Sequence, residues 1–200
     1  SDTDCGFYNN PPTANDDALG ALEDTTLTFS GALLLSNDTD PDFDPLTITS
    51  FTQPANGTLI DNGNGTFDYI PDADFNGPDT FTYTVSDGNG GTDSATVSIN
   101  VIAINDAPNA VDDNFSTNEN IPLTILELDL LSNDSDVDGD PISIISFTQP
   151  TNGTVVDNGN GTLTYTPDNN FDGPDAFTYT IFDGNGGTDT ATVNITVNDV

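Results

Sequence analysis

The feature that most constrains this chain is that it repeats itself. Phe51-Thr52-Gln53-Pro54 returns as Phe147-Thr148-Gln149-Pro150, an offset of 147 − 51 = 96 residues. The same offset carries Asp16 to Asp112, Glu23 to Glu119, Tyr69 to Tyr165 and Val101 to Val197 without insertion or deletion, and more than half of the aligned positions are identical. A fold must therefore close within one period, and the chain reads as a tandem array of two units over 12–107 and 108–200. Asn9-Asn10-Pro11-Pro12 aligns with Asn105-Asp106-Ala107-Pro108, so residues 1–11 read as a linker-like arm.

Within a unit the apolar period is two. Phe81, Tyr83 and Val85 alternate with Thr80, Thr82 and Thr84, and Ala95, Val97, Ile99 and Val101 alternate with Thr96, Ser98 and Asn100. That is the signature of strands with one buried and one wet face. Asn56-Gly57, Asn62-Gly63-Asn64-Gly65 and Asp87-Gly88-Asn89-Gly90-Gly91 supply turn chemistry between them. The spacing predicts strands over 14–18, 25–30, 46–53, 57–61, 65–70, 79–86 and 92–102, with a helical turn somewhere in 31–36. Such a run predicts an all-β fold, two tandem seven-stranded antiparallel β-sandwiches of immunoglobulin type in an elongated array. The expected core is Leu27, Phe29, Leu34, Leu46, Ile48, Phe51, Tyr69, Phe75, Phe81, Tyr83, Val97 and Ile99, with their partners at the repeat offset.

Charge narrows the function. The chain has 34 acidic residues and no Lys, Arg or His. Nucleic acid and anionic membrane surfaces are excluded as partners, since both need basic side chains. Side-chain salt bridges and Lys–Asn isopeptide links are impossible, and trypsin-like proteases have no cleavage site. No apolar run approaches membrane-spanning length, and no signal peptide is recognised. Cys5 is the one cysteine, so no internal disulfide forms.

The acids are concentrated. Asp38, Asp40, Asp42 and Asp44 stand at alternate positions of one loop and recur as Asp134, Asp136, Asp138 and Asp140. Carboxylates crowded this way repel unless a cation sits among them, and only solution can supply one. All-oxygen ligands suit Ca²⁺; Zn²⁺ is disfavoured without His, and Mg²⁺ sheds water reluctantly. Strands alternating in direction sort the loops by end. Asp16, Asp17, loop 38–44 and Asp87 fall at the entry end of the first unit. Glu23, Asp72 and Asp74 fall at its exit end, near Asn105 and Asp106; Glu119 is the copy of Glu23. Asp112, Asp113, loop 134–140 and Asp183 fall at the entry end of the second unit. Joining the units predicts a calcium-bridged junction, exit end against entry end.

Asn37-Asp38-x-Asp40-x-Asp42-x-Asp44-Pro45-Leu46, Tyr83-x-Val85-x-Asp87-Gly88-x-Gly90-Gly91 and Asn105-Asp106-Ala107-Pro108, at a fixed period, resemble the tandem cadherin-like, immunoglobulin-like repeats of large secreted bacterial adhesins. The resemblance covers the chain from residue 9 onward. It implies junctional calcium held by positions matching Glu23, Asp72/Asp74, Asn105/Asp106 and Asp134/Asp136.

Other readings are weaker. Asp134-x-Asp136-x-Asp138-Gly139 opens like an EF-hand, but Ile145 stands where that loop needs a bidentate Glu. Gly88-Asn89-Gly90-Gly91-Thr92-Asp93 occurs once per unit and reads as a plain turn rather than a β-helix repeat. Asp61 and Asp157 read as hairpin residues, and Asp79 and Asp175 as strand-start or turn residues. Eight Asn-x-Ser/Thr sequons, among them Asn64 and Asn160, fall mostly in turns that have their own reason to use Asn. No residue set supports catalysis. The sequence thus predicts a non-enzymatic extracellular element stiffened by calcium: an extender of a surface adhesin, a filament subunit joined to identical subunits or neighbouring repeats, or a calcium-dependent binder of surface glycans.

Overall fold

The computed structural model describes residues 8–200, so Cys5 and the start of the arm lie outside the described residues. The chain divides into two compact units, one ending at Ile104 and one spanning Asn105–Val200. In the first, strands β1 (Asp17–Leu22), β2 (Leu27–Ser30), β3 (Thr47–Phe51), β4 (Gly57–Asp61), β5 (Thr66–Pro71), β6 (Gly77–Ser86) and β7 (Thr92–Ile102) form two sheets, with a one-turn helix α1 (Gly31–Leu34) after β2. The sheet orders are β1-β7-β6-β3 and β2-β5-β4. In the second, β8 (Asp113–Asn118), β9 (Leu123–Leu126), α2 (Glu127–Leu130), β10 (Ser143–Phe147), β11 (Gly153–Asp157), β12 (Thr162–Pro167), β13 (Gly173–Phe182) and β14 (Thr188–Asn198) repeat the arrangement as β10-β13-β14-β8 and β11-β12-β9.

The seven-strand count stands, with two refinements. The first strand lies at Asp17–Leu22, later than the 14–18 expected, because Asp17, Leu19 and Ala21 supply the inward period while Thr13 makes only an isolated bridge to Thr39. It also pairs parallel to β7, in register from Asp17 opposite Val97 to Leu22 opposite Ile102. That follows from an odd number of strands that alternate in direction: the first and seventh point the same way.

Each core is the inward face of these strands. Phe29, Leu34, Tyr69, Phe81, Tyr83, Val97 and Ile99 are buried as expected, while Leu27, Ile48, Phe51 and Phe75 pack partly against them. Leu46 is the miss; it lines the acidic-loop hollow instead of the core. Ala21, Leu59, Phe67, Val85, Ala95 and Val101 join the core, and Phe67 stacks on Phe29 at 5.7 Å and meets Phe51 edge-on at 5.6 Å. In the second unit Ile125 and Leu163 take the places of Phe29 and Phe67, so the same envelope is filled with aliphatic side chains.

Two buried acids fasten the interior. Asp79 accepts from the backbone N–H of Ala55, Asn56 and Thr80 and from the Tyr69 hydroxyl at 2.9 Å. Asp175 repeats this with Thr151, Asn152, Ala176 and Tyr165. A carboxylate with no cationic partner is tolerated here because donors surround it. Tyr69→Phe should lower the stability of its unit by about 1.5–3 kcal/mol, the range for a hydrogen bond to a charged group, read as a shift in the urea midpoint; an unchanged midpoint would show that the three N–H donors suffice.

Candidate metal centre

The loop between α1 and β3 is shaped by one carboxylate. Asp40 Oδ1 accepts from the N–H of Asp42 at 2.7 Å and of Asp44 at 3.2 Å, drawing the chain into a tight coil. Asp136 does the same with Asp138 and Asp140 at 3.0 and 3.2 Å. The residue between those two donors is forced to a left-handed backbone: Gly139 at φ 77°, Phe43 at φ 63°. Glycine accepts that conformation freely, whereas phenylalanine is strained in it. Phe43 is also 94% exposed.

The coil brings oxygens together. One oxygen from each of Asp40, Asp42 and Asp44 lies within 4.8 Å of the others, and so it is for Asp136, Asp138 and Asp140. The second oxygens, Asp40 Oδ2 and Asp136 Oδ2, are buried and have no hydrogen-bond partner among the described residues. A buried carboxylate oxygen without a donor is costly. A cation of the hard, oxygen-seeking class would satisfy it, and the donor set contains nothing but oxygen.

The same end of each sandwich gathers other predicted residues. Asn10 donates its N–H to Asp42 at 2.6 Å, and Asn89 donates its amide to Asp44 at 2.8 Å; in the second unit Asp106 N–H meets Asp138 at 2.8 Å and the Asn185 amide meets Asp140 at 2.6 Å. Asp16 and Asp112 accept from the N–H of Thr96 and Thr192. Asp87 is 2% exposed and Asp183 1%. Asp87 accepts from the Asn9 amide and the N–H of Asn89 and Gly91. Asp183 accepts from the Asn105 amide and the N–H of Asn185, Gly186 and Gly187. These donors hold both carboxyls below their ordinary pKa, the asparagine amide first. A Cβ on Gly91 would stand 2.1 Å from Asp87 Oδ2 and 2.8 Å from the Pro11 Cα, so only glycine fits. The run 88–91 is thus a turn, built around an acid.

Asp17 and Asp38 share one hydroxyl. Tyr83 Oη lies 3.0 Å from Asp17 Oδ2 and 3.1 Å from Asp38 Oδ2, with the Asn15 and Leu34 carbonyls at 3.2 Å. Tyr179 stands likewise among Asp113, Asp134, Val111 and Leu130. Burial raises the tyrosine pKa, and the neighbouring carboxylates add to it, so the hydroxyl keeps its proton. Burial also pushes Asp17 and Asp113 above the usual carboxylate value, with Asp38 and Asp134 contributing repulsion and the tyrosine bond opposing. Asp17 and Asp38 were expected at one end of the unit, whereas the tyrosine that joins them was expected only as a core aromatic.

At the other end of the first unit, Glu23 is buried and accepts from the Asn76 amide and the Ile104 N–H. Asp24, a residue the sequence reading passed over, accepts from the N–H of Asp74 at 3.1 Å, and both have left-handed backbones. Asp72 is exposed and anchors the turn through its N–H and carbonyl. In the second unit the Asp24–Asp74 pair becomes Asn120–Asn170, with the same bond at 3.0 Å. Glu119 there takes a bond from the Asn120 amide and, at 3.4 Å, from the Val200 N–H.

The pKa shifts fix a sign. A raised acid, Asp17 or Asp113, contributes stability that is full below its unfolded value and lost as pH rises through its folded value; lowered Asp87 and Asp183 contribute stability that is lost as pH falls through theirs. In chelator, the double variant Asp17→Asn, Asp113→Asn should therefore gain on the parent as pH climbs from acid to neutral, measured by urea midpoints. Parallel curves would contradict this.

The model of the cadherin-like domain matches twice, over residues 8–102 and 104–198. The chain is 37% identical over 101 residues to Protein GAMETE EXPRESSED 2 of Arabidopsis thaliana, a stretch that is 50% of this chain and 10% of that protein. Among solved structures it is similar to domains 3–6 of Protocadherin Gamma B2 (TM-score 0.52, 15% identity, 95% of this chain and 48% of that one). It is also similar to domains EC1-2 of human Mucin-like Protocadherin (TM-score 0.48, 18% identity, 94% and 98%). Two matches in tandem, on two sandwiches of the same topology, settle the family: the chain belongs to the cadherin-like domains and carries two of them in series.

Proposed function

We propose that this chain is a non-enzymatic extracellular repeat of a surface adhesin, acting as an extender whose acidic loops bind Ca²⁺. The observation that carries the reading is the pair of buried oxygens on Asp40 and Asp136 that find no donor among the described residues, each inside a ring of carboxylates in a chain with no cationic side chain. Asp40, Asp42 and Asp44 would hold one ion, and Asp136, Asp138 and Asp140 another. When bound, calcium supplies positive charge and neutralises the repulsion among them; the loops' own work is to present oxygens at a fixed separation. The calcium-bridged junction expected from Glu23, Asp72, Asp74, Asn105 and Asp106 belongs to the same proposal and rests on family membership and sequence position. Extracellular placement is in keeping with the family, and no described helix is long and apolar enough to cross a membrane.

A second reading, a subunit joining identical copies end to end, draws on Phe43. An apolar ring presented at 94% exposure, on a strained backbone, at the tip of an acidic loop is suited to a partner surface.

For extracellular modules, dissociation constants of about 10⁻⁴–10⁻³ M are expected. A tenfold excess of calcium then stabilises by about 1.4 kcal/mol per site. Calcium should raise the melting temperature, chelator should reverse it, and Asp40→Asn with Asp136→Asn should abolish most of the rise. An identical melting curve with and without calcium would refute the proposal. Calcium-dependent growth of particle size in light scattering, lost in Phe43→Gly, would select the filament reading.

A further inference from the structure

Nine Asn-Gly pairs occur in the sequence, and the structure sets two of them apart. Asn56, Asn76 and Asn152 precede glycines that are already inside strands β4, β6 and β11. Asn62, Asn158 and Asn185 precede glycines whose N–H groups are bound to Asp61, Asp157 and Asp183. Asn89 has its own amide nitrogen held by Asp44 at 2.8 Å. Asn64 and Asn160 remain. They are exposed at the tips of the β4–β5 and β11–β12 hairpins, and the glycines after them, Gly65 at φ 87° and Gly161 at φ 81°, sit outside the strands. Among the described residues neither glycine N–H has a backbone or side-chain acceptor.

The asparagine carbonyls at these two tips are also polarised. Asn64 Oδ1 accepts from the Thr66 hydroxyl at 2.7 Å and from the Thr66 N–H at 3.0 Å; Asn160 Oδ1 accepts from the Thr162 hydroxyl at 2.7 Å. The hydroxyls are themselves fixed by the amides of Asn62 and Asn158. Donors aimed at a carbonyl oxygen stabilise the negative charge that grows there when a nucleophile adds to the carbon. The nucleophile is next in sequence: the unengaged backbone nitrogen of the following glycine.

We propose that Asn64 and Asn160 are sites of spontaneous deamidation built into the two hairpin tips. The Gly65 nitrogen bonds to Cγ of Asn64 and loses its proton, the Cγ–Nδ2 bond breaks, and Nδ2 takes that proton and leaves as ammonia. The resulting five-membered imide is opened by water at either carbonyl, giving aspartate or isoaspartate. Nothing is oxidised or reduced, and water is the one co-reactant. Each event adds a negative charge to a tip that already carries Asp61 or Asp157, and the isoaspartate product lengthens the turn backbone. The hairpin tip therefore ages in a defined order, with the 64 and 160 positions first.

The test is incubation of the intact chain in mildly alkaline ¹⁸O-water, followed by cleavage at acidic residues and mass spectrometry of every Asn-Gly peptide. Label should enter residues 64 and 160 well ahead of the other seven, with both aspartate and isoaspartate present. Equal labelling of all nine, or earliest labelling at Asn62 and Asn158, would overturn the proposal. Thr66→Val removes the hydroxyl donor while leaving residue 160 as an internal control in the same molecule. Several-fold slower labelling at 64 with an unchanged rate at 160 supports the polarising role, and an unchanged rate at 64 overturns it.

Discussion

A carboxylate removed from water needs donors, and this chain can offer only backbone N–H groups, amide side chains and hydroxyls. Everything distinctive in the two sandwiches follows from that shortage. Asp79 and Asp175 are satisfied by three N–H groups and a tyrosine each, Asp87 and Asp183 by a glycine-rich turn closed over them. The acidic loops are where the supply runs out. There Asp40 and Asp136 use one oxygen to shape the coil and leave the other without a donor among the described residues, and that remainder is what a cation of solution is suited to fill.

Much of the fold was legible because its signals are local. Alternation in 79–86 and 92–102 and the Asn-Gly turns mark strands whatever they pack against, and the repeat offset doubles each signal. The first strand was harder: Asp17-Ala18-Leu19-Gly20-Ala21-Leu22 has poor strand propensity and is held by pairing along β7, a contact distant in sequence. Phe67 lies in a strand expected over 65–70 and shares the inward parity of Tyr69, yet its burial depends on β2 and β4 closing around β5, which the strand pattern alone does not show.

The acidic loop was visible as a motif, but its internal logic was not. No pattern of residue types shows that Tyr83 brings Asp17 and Asp38 to one hydroxyl, because the three come from β6, β1 and the loop after α1. Asp24 was passed over since its role lies in a left-handed backbone that meets Asp74, fifty residues on. The exchange of that pair for Asn120 and Asn170 keeps the geometry, as both residue types tolerate the conformation, and changes only the charge. The two units therefore share this backbone arrangement while differing in the charge it carries.

The decisive question is whether a cation occupies the coil that Asp40 and Asp136 create. Crystals grown in calcium and measured for anomalous scattering test this most directly. Anomalous peaks are expected bonded to Asp40, Asp42 and Asp44 and to Asp136, Asp138 and Asp140, at the calcium–oxygen distance of about 2.3–2.6 Å. Water alone in both coils at millimolar calcium would contradict this expectation.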